Sequence, residues 1–344
     1  MRTSIRQWRR SGAAISAAFF FACAAHAAEP DFVPSADLLA AARKEGRIVL
    51  YTANFLDTEQ AVAKRFLERF GIRIEFVRAP TGQLITRIKT EAAANRMIAD
   101  VIDISDRVQA RAMIELFAPY APPNAADYPE VARTADRLWP RSGNAWTITY
   151  NSALVTDPPK SWADLVKPAF GTQRLGQTVI ASGGAPFNRA MFERKVLGED
   201  YWTKQAELKP VLFPSQAQMV DALIRGEIGI APLVTNLAIP LAAQGAPLKW
   251  FFAPEGVPIT VFCAGIAKGA AHPNAAKLFL DWALSREGQA LMVEQGSFSS
   301  LAQAPMPPGV DSKAINVWYS DEAEIETVFK SWTDDWNKAY GYRQ

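Results

Sequence analysis

At 344 residues, 49% hydrophobic and 21% charged, the chain has the balance of a folded globular protein with room for one or two sizeable cores. That composition excludes a disordered chain, a collagen and a multi-span membrane protein. Thirty-seven basic against 35 acidic residues, a net of +2, give no reason to expect a nucleic-acid partner. Two cysteines and two histidines leave little for metal or triad chemistry.

The first element is an address. Arg2, Arg6, Arg9 and Arg10 precede an apolar stretch centred on Phe19, Phe20 and Phe21, and Ala25-His26-Ala27 fits a small-x-small cleavage site. The pattern predicts a Sec-type signal peptide over 1–27 and a periplasmic product. Arg9-Arg10 lacks the apolar pair of a twin-arginine signal, and Phe20-Phe21-Ala22-Cys23 has Phe where a lipoprotein box has Leu. Cleavage removes four arginines, Cys23 and His26, so the mature net charge becomes −2, with Cys263 and His272 the remaining thiol and imidazole. No later stretch has the roughly eighteen uncharged apolar residues of a membrane span, so a soluble product is expected.

Downstream, strand and helix alternate. Residues 48–52 form a short β-rich apolar run. Asp57 and Gln60 predict a capping-box start for a helix carrying Val62, Phe66 and Phe70 inward, stopped by Gly71. Residues 72–77 alternate as a second strand. Thr81-Gly82 opens a helix with Leu84, Ile85, Ile88 and Ala92 inward, and 101–104 is a third strand. Further strands are predicted at 146–150, 178–181, 211–213, 228–231 and 261–267. Helices are predicted at 161–165, 187–196 and 216–225. Pro273 starts another helix, with Leu278, Phe279 and Trp282 inward, and Ser285 caps one that ends at Gly296. Ile325, Phe329, Trp332 and Trp336 put an aromatic face on a final helix, for core packing or docking. The alternation predicts an α/β fold with doubly wound sheets and ligands at the carboxyl ends of strands.

Catalytic devices are scarce. None of the P-loop, dinucleotide, zincin or nucleophile-elbow motifs occurs in the mature chain. His272 directly precedes a helix and reads as a surface residue. Cys263 follows Phe262 in an apolar strand and reads as a buried, inert thiol. One Cys with one His cannot supply a usual zinc site. The enzyme reading rests on Asp100, Asp103 and Asp106 near one strand end, where acidic residues also cap helices.

From Tyr150-Asn-Ser-Ala-Leu-Val155 through Pro158-Pro-Lys-Ser-Trp162-Ala-Asp-Leu165 to Pro168-Ala-Phe-Gly171, the sequence resembles the type II periplasmic solute-binding proteins of ABC importers. The resemblance is to the cluster of ferric-iron, 2-aminoethylphosphonate, thiamine and polyamine binders. Arg225-Gly-Glu-Ile-Gly-Ile230, Gln244-Gly-Ala-Pro247, Ala253-Pro-Glu-Gly256 and the run from Lys268 to Phe279 continue it in order. Ser285-Arg-Glu-Gly-Gln289, with Leu84, Arg87, Glu91 and Ala99-Asp100-Val101, completes it. It covers about 36 to 305.

The resemblance implies two lobes joined by hinge strands, one of 29–147 plus 260–344 and the other of 148–259. It also implies a small-molecule ligand between them, an inner-membrane permease as partner, a monomer, no cofactor and no nucleic acid. Ferric members carry adjacent tyrosines after the strand matching 228–231, where this chain has Pro232-Leu-Val-Thr235-Asn236. Neutral Thr and Asn suit hard Fe³⁺ poorly. The resemblance places Asn54, Thr81, Gly82, Ser105, Arg107, Ser182, Gly183, Gly184, Asn188, Thr235 and Asn236 at the cleft. Such donors suit a carboxylate or phosphonate held by helix N-termini and Arg107. Each has a structural alternative: Thr81, Thr235 and Asn236 as caps, Ser182-Gly183-Gly184 as a turn, Arg107 as a solvated charge. Ferric iron or an iron chelate is the alternative ligand, and an exported carboxylate-dependent enzyme the alternative class.

Overall fold

The computed structural model describes residues 32–172, 174–181, 184–301 and 304–343, so the signal peptide expected over 1–27 lies outside the described residues. Helix α1 (Ala36–Glu45), which the sequence reading did not include, is capped by Ser35, whose Oγ accepts from Leu38 N at 3.2 Å. Strand β1 (Arg47–Thr52), helix α2 (Leu56–Phe70), strand β2 (Arg73–Arg78), helix α3 (Thr81–Ala93) and strand β3 (Val101–Ile104) then follow the predicted alternation. β1 pairs in parallel with both β2 and β3, the order expected of a doubly wound sheet. The capping box does not form. α2 starts at Leu56 behind Phe55, and Asp57 lies inside the first turn. The chain is turned there instead by Asn54, whose Oδ1 accepts from Phe55 N at 2.9 Å.

After the short α4 (Arg107–Ala112), strand β4 (Trp139–Asn151) runs for 13 residues, well beyond the predicted 146–150. Its first half reads as a loop in sequence because it carries Pro140, Arg141, Ser142, Gly143 and Asn144. It is held extended by distant partners. Residues 139–145 pair antiparallel with β9 (Val257–Ile266), whose far end pairs with β3. Between them lie α5 (Pro168–Gly171), β5 (Gly176–Thr178), α6 (Gly184–Leu197), α7 (Tyr201–Glu207), β6 (Val211–Phe213) and α8 (Gln216–Ile224). Strand β7 (Ile230–Val234), helix α9 (Thr235–Ala243) and strand β8 (Leu248–Phe251) complete that stretch. The second half of β4 pairs with β7 and β8. β4 therefore belongs to one sheet system at its start and to another at its end.

Helices α10 (Pro273–Leu284) and α11 (Arg286–Glu294) return to the first system. Phe279 and Trp282 of α10 stack edge-on and tilted against Phe66, with centroids 5.5 and 5.4 Å away, which gives that system its aromatic core. A separate core gathers Trp146, Trp162, Phe192, Met219 and Leu223 around β4, β7 and α8. Two apolar clusters on the two halves of one strand are what a two-lobed chain needs, since each lobe must bury its own sheet face. Strand β10 (Val317–Trp318) pairs with β9, and α12 (Glu322–Tyr340) ends the chain. Its aromatic face is core, not a free docking surface: Trp336 is fully buried among Phe187, Tyr201 and Trp202. Those partners belong to α6 and α7, so α12 packs on the 148–259 stretch although it lies within the 260–344 segment.

Candidate functional site

Strand ends and helix starts converge on a small cavity of about 60 Å³. Ala53 follows β1, Arg78 ends β2, Thr81 opens α3 and Ser105 follows β3. Opposite them stand Ala185 of α6, Ser215 and Gln216 at the start of α8, and Val234 at the end of β7. No side chain caps α2, α3 or α9 at its N-terminus. Free backbone N–H groups with the positive ends of helix dipoles make such a place favourable for an anion.

Arg78 supplies the charge, and sequence reasoning did not single it out. Its Nε donates to Asn54 O at 3.1 Å and its guanidinium lies 5.6 Å from the Phe55 ring centroid. Burial pulls its pKa below the usual arginine value, and no carboxylate among the described residues lies within ion-pair distance to oppose that. A desolvated cation facing a cavity favours an anionic occupant. The signal available in sequence was faint: an Arg at the end of an alternating strand, directly before a helix start.

A second, larger cavity of about 590 Å³ has Ser105 as a shared wall. Gly184, Phe187 and Asn188 of α6, Ile259 and Thr260 of β9, and Tyr319 line it, with Arg107 and Glu322. Gly184 sits at φ +58, and a Cβ there would lie 2.3 Å from Ser105 Oγ, so only glycine permits this approach.

The matching family model spans residues 52–290 and describes bacterial extracellular solute-binding proteins. The chain belongs to this family. An uncharacterized protein of Haemophilus influenzae is 28% identical over 282 residues, 74% of this chain and 78% of that one. The periplasmic binding protein AfuA from Actinobacillus pleuropneumoniae, with exogenous fructose-6-phosphate bound, has a TM-score of 0.74 at 20% identity, covering 87% of this chain and all of that one. Iron-bound HitA from Pseudomonas aeruginosa reaches 0.69 at 21% identity, over 84% and 99% of the two chains. The fold is that of type II periplasmic binding proteins, two α/β lobes joined by hinge strands.

In this solute-binding fold the predicted site residues divide. Thr81 and Ser105 line the small cavity and share a hydroxyl–hydroxyl bond of 2.9 Å. Ser105, Arg107, Gly184 and Asn188 line the larger one. Gly82 is the second residue of α3 and lines neither. Asn54 and Asn236 are buried and join each other, Nδ2 of Asn236 donating to Asn54 Oδ1 at 2.9 Å. Thr235 is the first residue of α9, and its Oγ1 accepts from Ala145 N at 3.4 Å. Ser182 and Gly183 fall outside the described residues. Arg107 is not the free cation the sequence reading wanted, because Glu322 on α12 takes its Nε. The tail was too distant in sequence to reveal that partner.

The candidate catalytic carboxylates hold the scaffold. Asp103 and Glu59 flank Arg141, all three fully buried, with Arg141 donating to Glu59 at 2.7 and 2.9 Å and also to Asp103. Burial, then the neighbouring Glu59 charge, push the Asp103 pKa up to about 6 against the pull of Arg141. Asp106 caps α4, its Oδ1 accepting from Gln109 N at 2.9 Å. Asp100 holds His272 by a ring contact of 2.8 Å and by the backbone N–H at 2.9 Å. Cys263 is buried and its thiol is pushed well up by desolvation, so it carries no thiolate.

Proposed function

We propose that this chain captures a small organic anion, a carboxylate or phosphonate, between two lobes in the periplasm and delivers it as a monomer to an ABC permease. The lobes would be 29–147 plus 260–344 and 148–259, with α12 carried on the second. The observation that carries this reading is Arg78, a half-buried guanidinium without a carboxylate partner among the described residues, facing a cavity rimmed by uncapped helix starts. Iron suits the site less well. The stretch 230–238 carries no tyrosine, and Glu59 and Asp103 are already committed to Arg141.

The test is a thermal-unfolding and calorimetric screen of the mature protein against inorganic phosphate, methylphosphonate, small carboxylates, polyamines and ferric citrate. A ligand at a hundred times its dissociation constant adds about 2.7 kcal/mol of stability, an evident shift in midpoint. Arg78→Gln is expected to weaken the anion at least tenfold, since a charge-assisted hydrogen bond contributes about 1.5–3 kcal/mol. A shift with ferric citrate alone, unchanged in Arg78→Gln, would reverse the assignment in favour of iron.

A further inference from the structure

The small cavity has room for little more than a carboxylate or phosphate group, while the cavity beyond Ser105 is about ten times larger, near 590 Å³. That falls within the range of about 300–1,000 Å³ that small-molecule pockets occupy, whereas roughly 150 Å³ already admits a benzene ring. A compact anion would leave most of this space to water.

The lining says what kind of body suits it. Its charged members cancel or are occupied: Arg107 is paired with Glu322, and Asp106 caps α4 and accepts from the Gln109 side chain. Tyr319, largely exposed, gives aromatic surface, while the Phe187 ring is turned into the core against Phe329. Two lining residues keep an unmet polar atom. Thr260 Oγ1 and Asn188 Oδ1 have no hydrogen-bond partner, and each residue is only 5% exposed. The Asn188 amide is held in place, because its Nδ2 donates to Ser320 Oγ at 2.9 Å. Buried polar atoms of this kind lose free energy until a ligand or water meets them, and both unmet atoms accept hydrogen bonds.

We infer that the cavity beyond Ser105 receives the body of the ligand, an uncharged, hydroxyl-bearing ring whose single anionic group lies toward Arg78. The assignment rests on the anion reading above for the head group but adds the chemistry of the rest of the molecule. A ring face lies against Tyr319, and ring hydroxyls donate to Asn188 Oδ1 and Thr260 Oγ1. Ser105, which lines both cavities, marks the boundary between head and body.

The experiment compares three sets of probes on the wild type, Thr260→Val, Asn188→Leu and Arg78→Gln by calorimetry. Ring-bearing anions are 4-hydroxybenzoate, quinate and glucose 6-phosphate; compact anions are acetate and inorganic phosphate; the uncharged ring is myo-inositol. Thr260→Val keeps the side-chain shape and removes an unpaired hydroxyl, so it folds as well as the wild type, which a thermal midpoint verifies. At least one ring-bearing anion is expected to bind tenfold or more tighter than the compact ones. Thr260→Val and Asn188→Leu are expected to reduce that preference at least fivefold, with compact anions changed less than twofold. Equal binding of compact and ring-bearing anions, untouched by either variant, overturns the assignment and leaves the anion reading standing. Tight binding of myo-inositol that falls in Thr260→Val but not in Arg78→Gln supports the ring cavity and overturns the anion reading. Silence from every probe overturns both.

Discussion

Replacing Arg141 by Met should unfold this protein far more easily, and the cost can be worked from its surroundings. Arg141, Glu59 and Asp103 are all fully buried, so the triad carries two negative charges against one positive away from bulk solvent. Removing the cation leaves two carboxylates facing each other in low dielectric. Breaking a buried pair in this way costs about 3–5 kcal/mol. Bringing a carboxyl from its ordinary pKa near 4 to one that stays protonated at pH 7 costs about 4 kcal/mol, the same range. Urea unfolding followed by the fluorescence of the chain's 10 tryptophans would read the loss as a lowered midpoint. Because the variant must take up protons to fold, its deficit should shrink as pH falls from 7 to 5. A loss under about 1 kcal/mol, or one indifferent to pH, would refute the reasoning. Asp103→Asn is the counterpart. The folded pKa of about 6 lies above the unfolded value near 3.9, so the wild type gains stability as pH falls through that window and carries the full penalty above it. Asp103→Asn leaves one cation with one anion, and should be at least as stable as the wild type at pH 8.

Other expectations follow from single contacts. Burial pushes Asp281 up to about 6, even though the Tyr120 hydroxyl donates to it at 2.8 Å. Asp281→Asn should therefore be about 1–2 kcal/mol more stable than the wild type at pH 8 and equal to it near pH 4, measured by urea midpoints across pH. On α12, Glu322 holds Arg107 and Arg111 of α4, and Glu326 reaches Arg111 at 3.5 Å. These partly exposed pairs contribute about 0.2–1 kcal/mol each, so Glu322→Gln with Glu326→Gln should loosen the contact between α12 and α4 by about 1–2 kcal/mol. X-ray scattering without ligand should then show a larger radius of gyration in low salt, converging with the wild type at 0.5 M NaCl on the order of a 4 Å Debye length. Gly184→Ala forces a side chain into the left-handed region and onto Ser105. It should lower stability by about 1–3 kcal/mol and weaken every ligand that needs the lobes closed, both visible in one calorimetric series.

The parts of the fold legible in sequence are those set by local pattern. Val62, Phe66 and Phe70 recur at helical spacing and are buried on α2, and Pro273 and Ser285 mark the starts of α10 and α11 as expected. A helix stripe is visible because its residues answer one another within a few positions. The predicted strand at 178–181 shares only Thr178 with the real β5, since Gly176-Gln-Thr178 owes its extended form to pairing with Val211–Phe213. The first half of β4 went unread for the same reason.

The candidate site divides along similar lines. Hydroxyls and glycines at strand ends were visible, and Thr81, Ser105, Gly184 and Asn188 do line the two cavities. The choice of cation was not visible, because it depends on partners that lie at any distance along the chain. Arg107 is claimed by Glu322, 215 residues later, while among the described residues Arg78 meets a carbonyl and a ring and no carboxylate. The sequence by itself determined the alternation of strand and helix, the inward faces and the family, all properties of residue types and their order. Only the tertiary structure decided which charges are spent on one another and which remain to meet a ligand, because Coulomb attraction and desolvation depend on distance in space and not on separation in sequence.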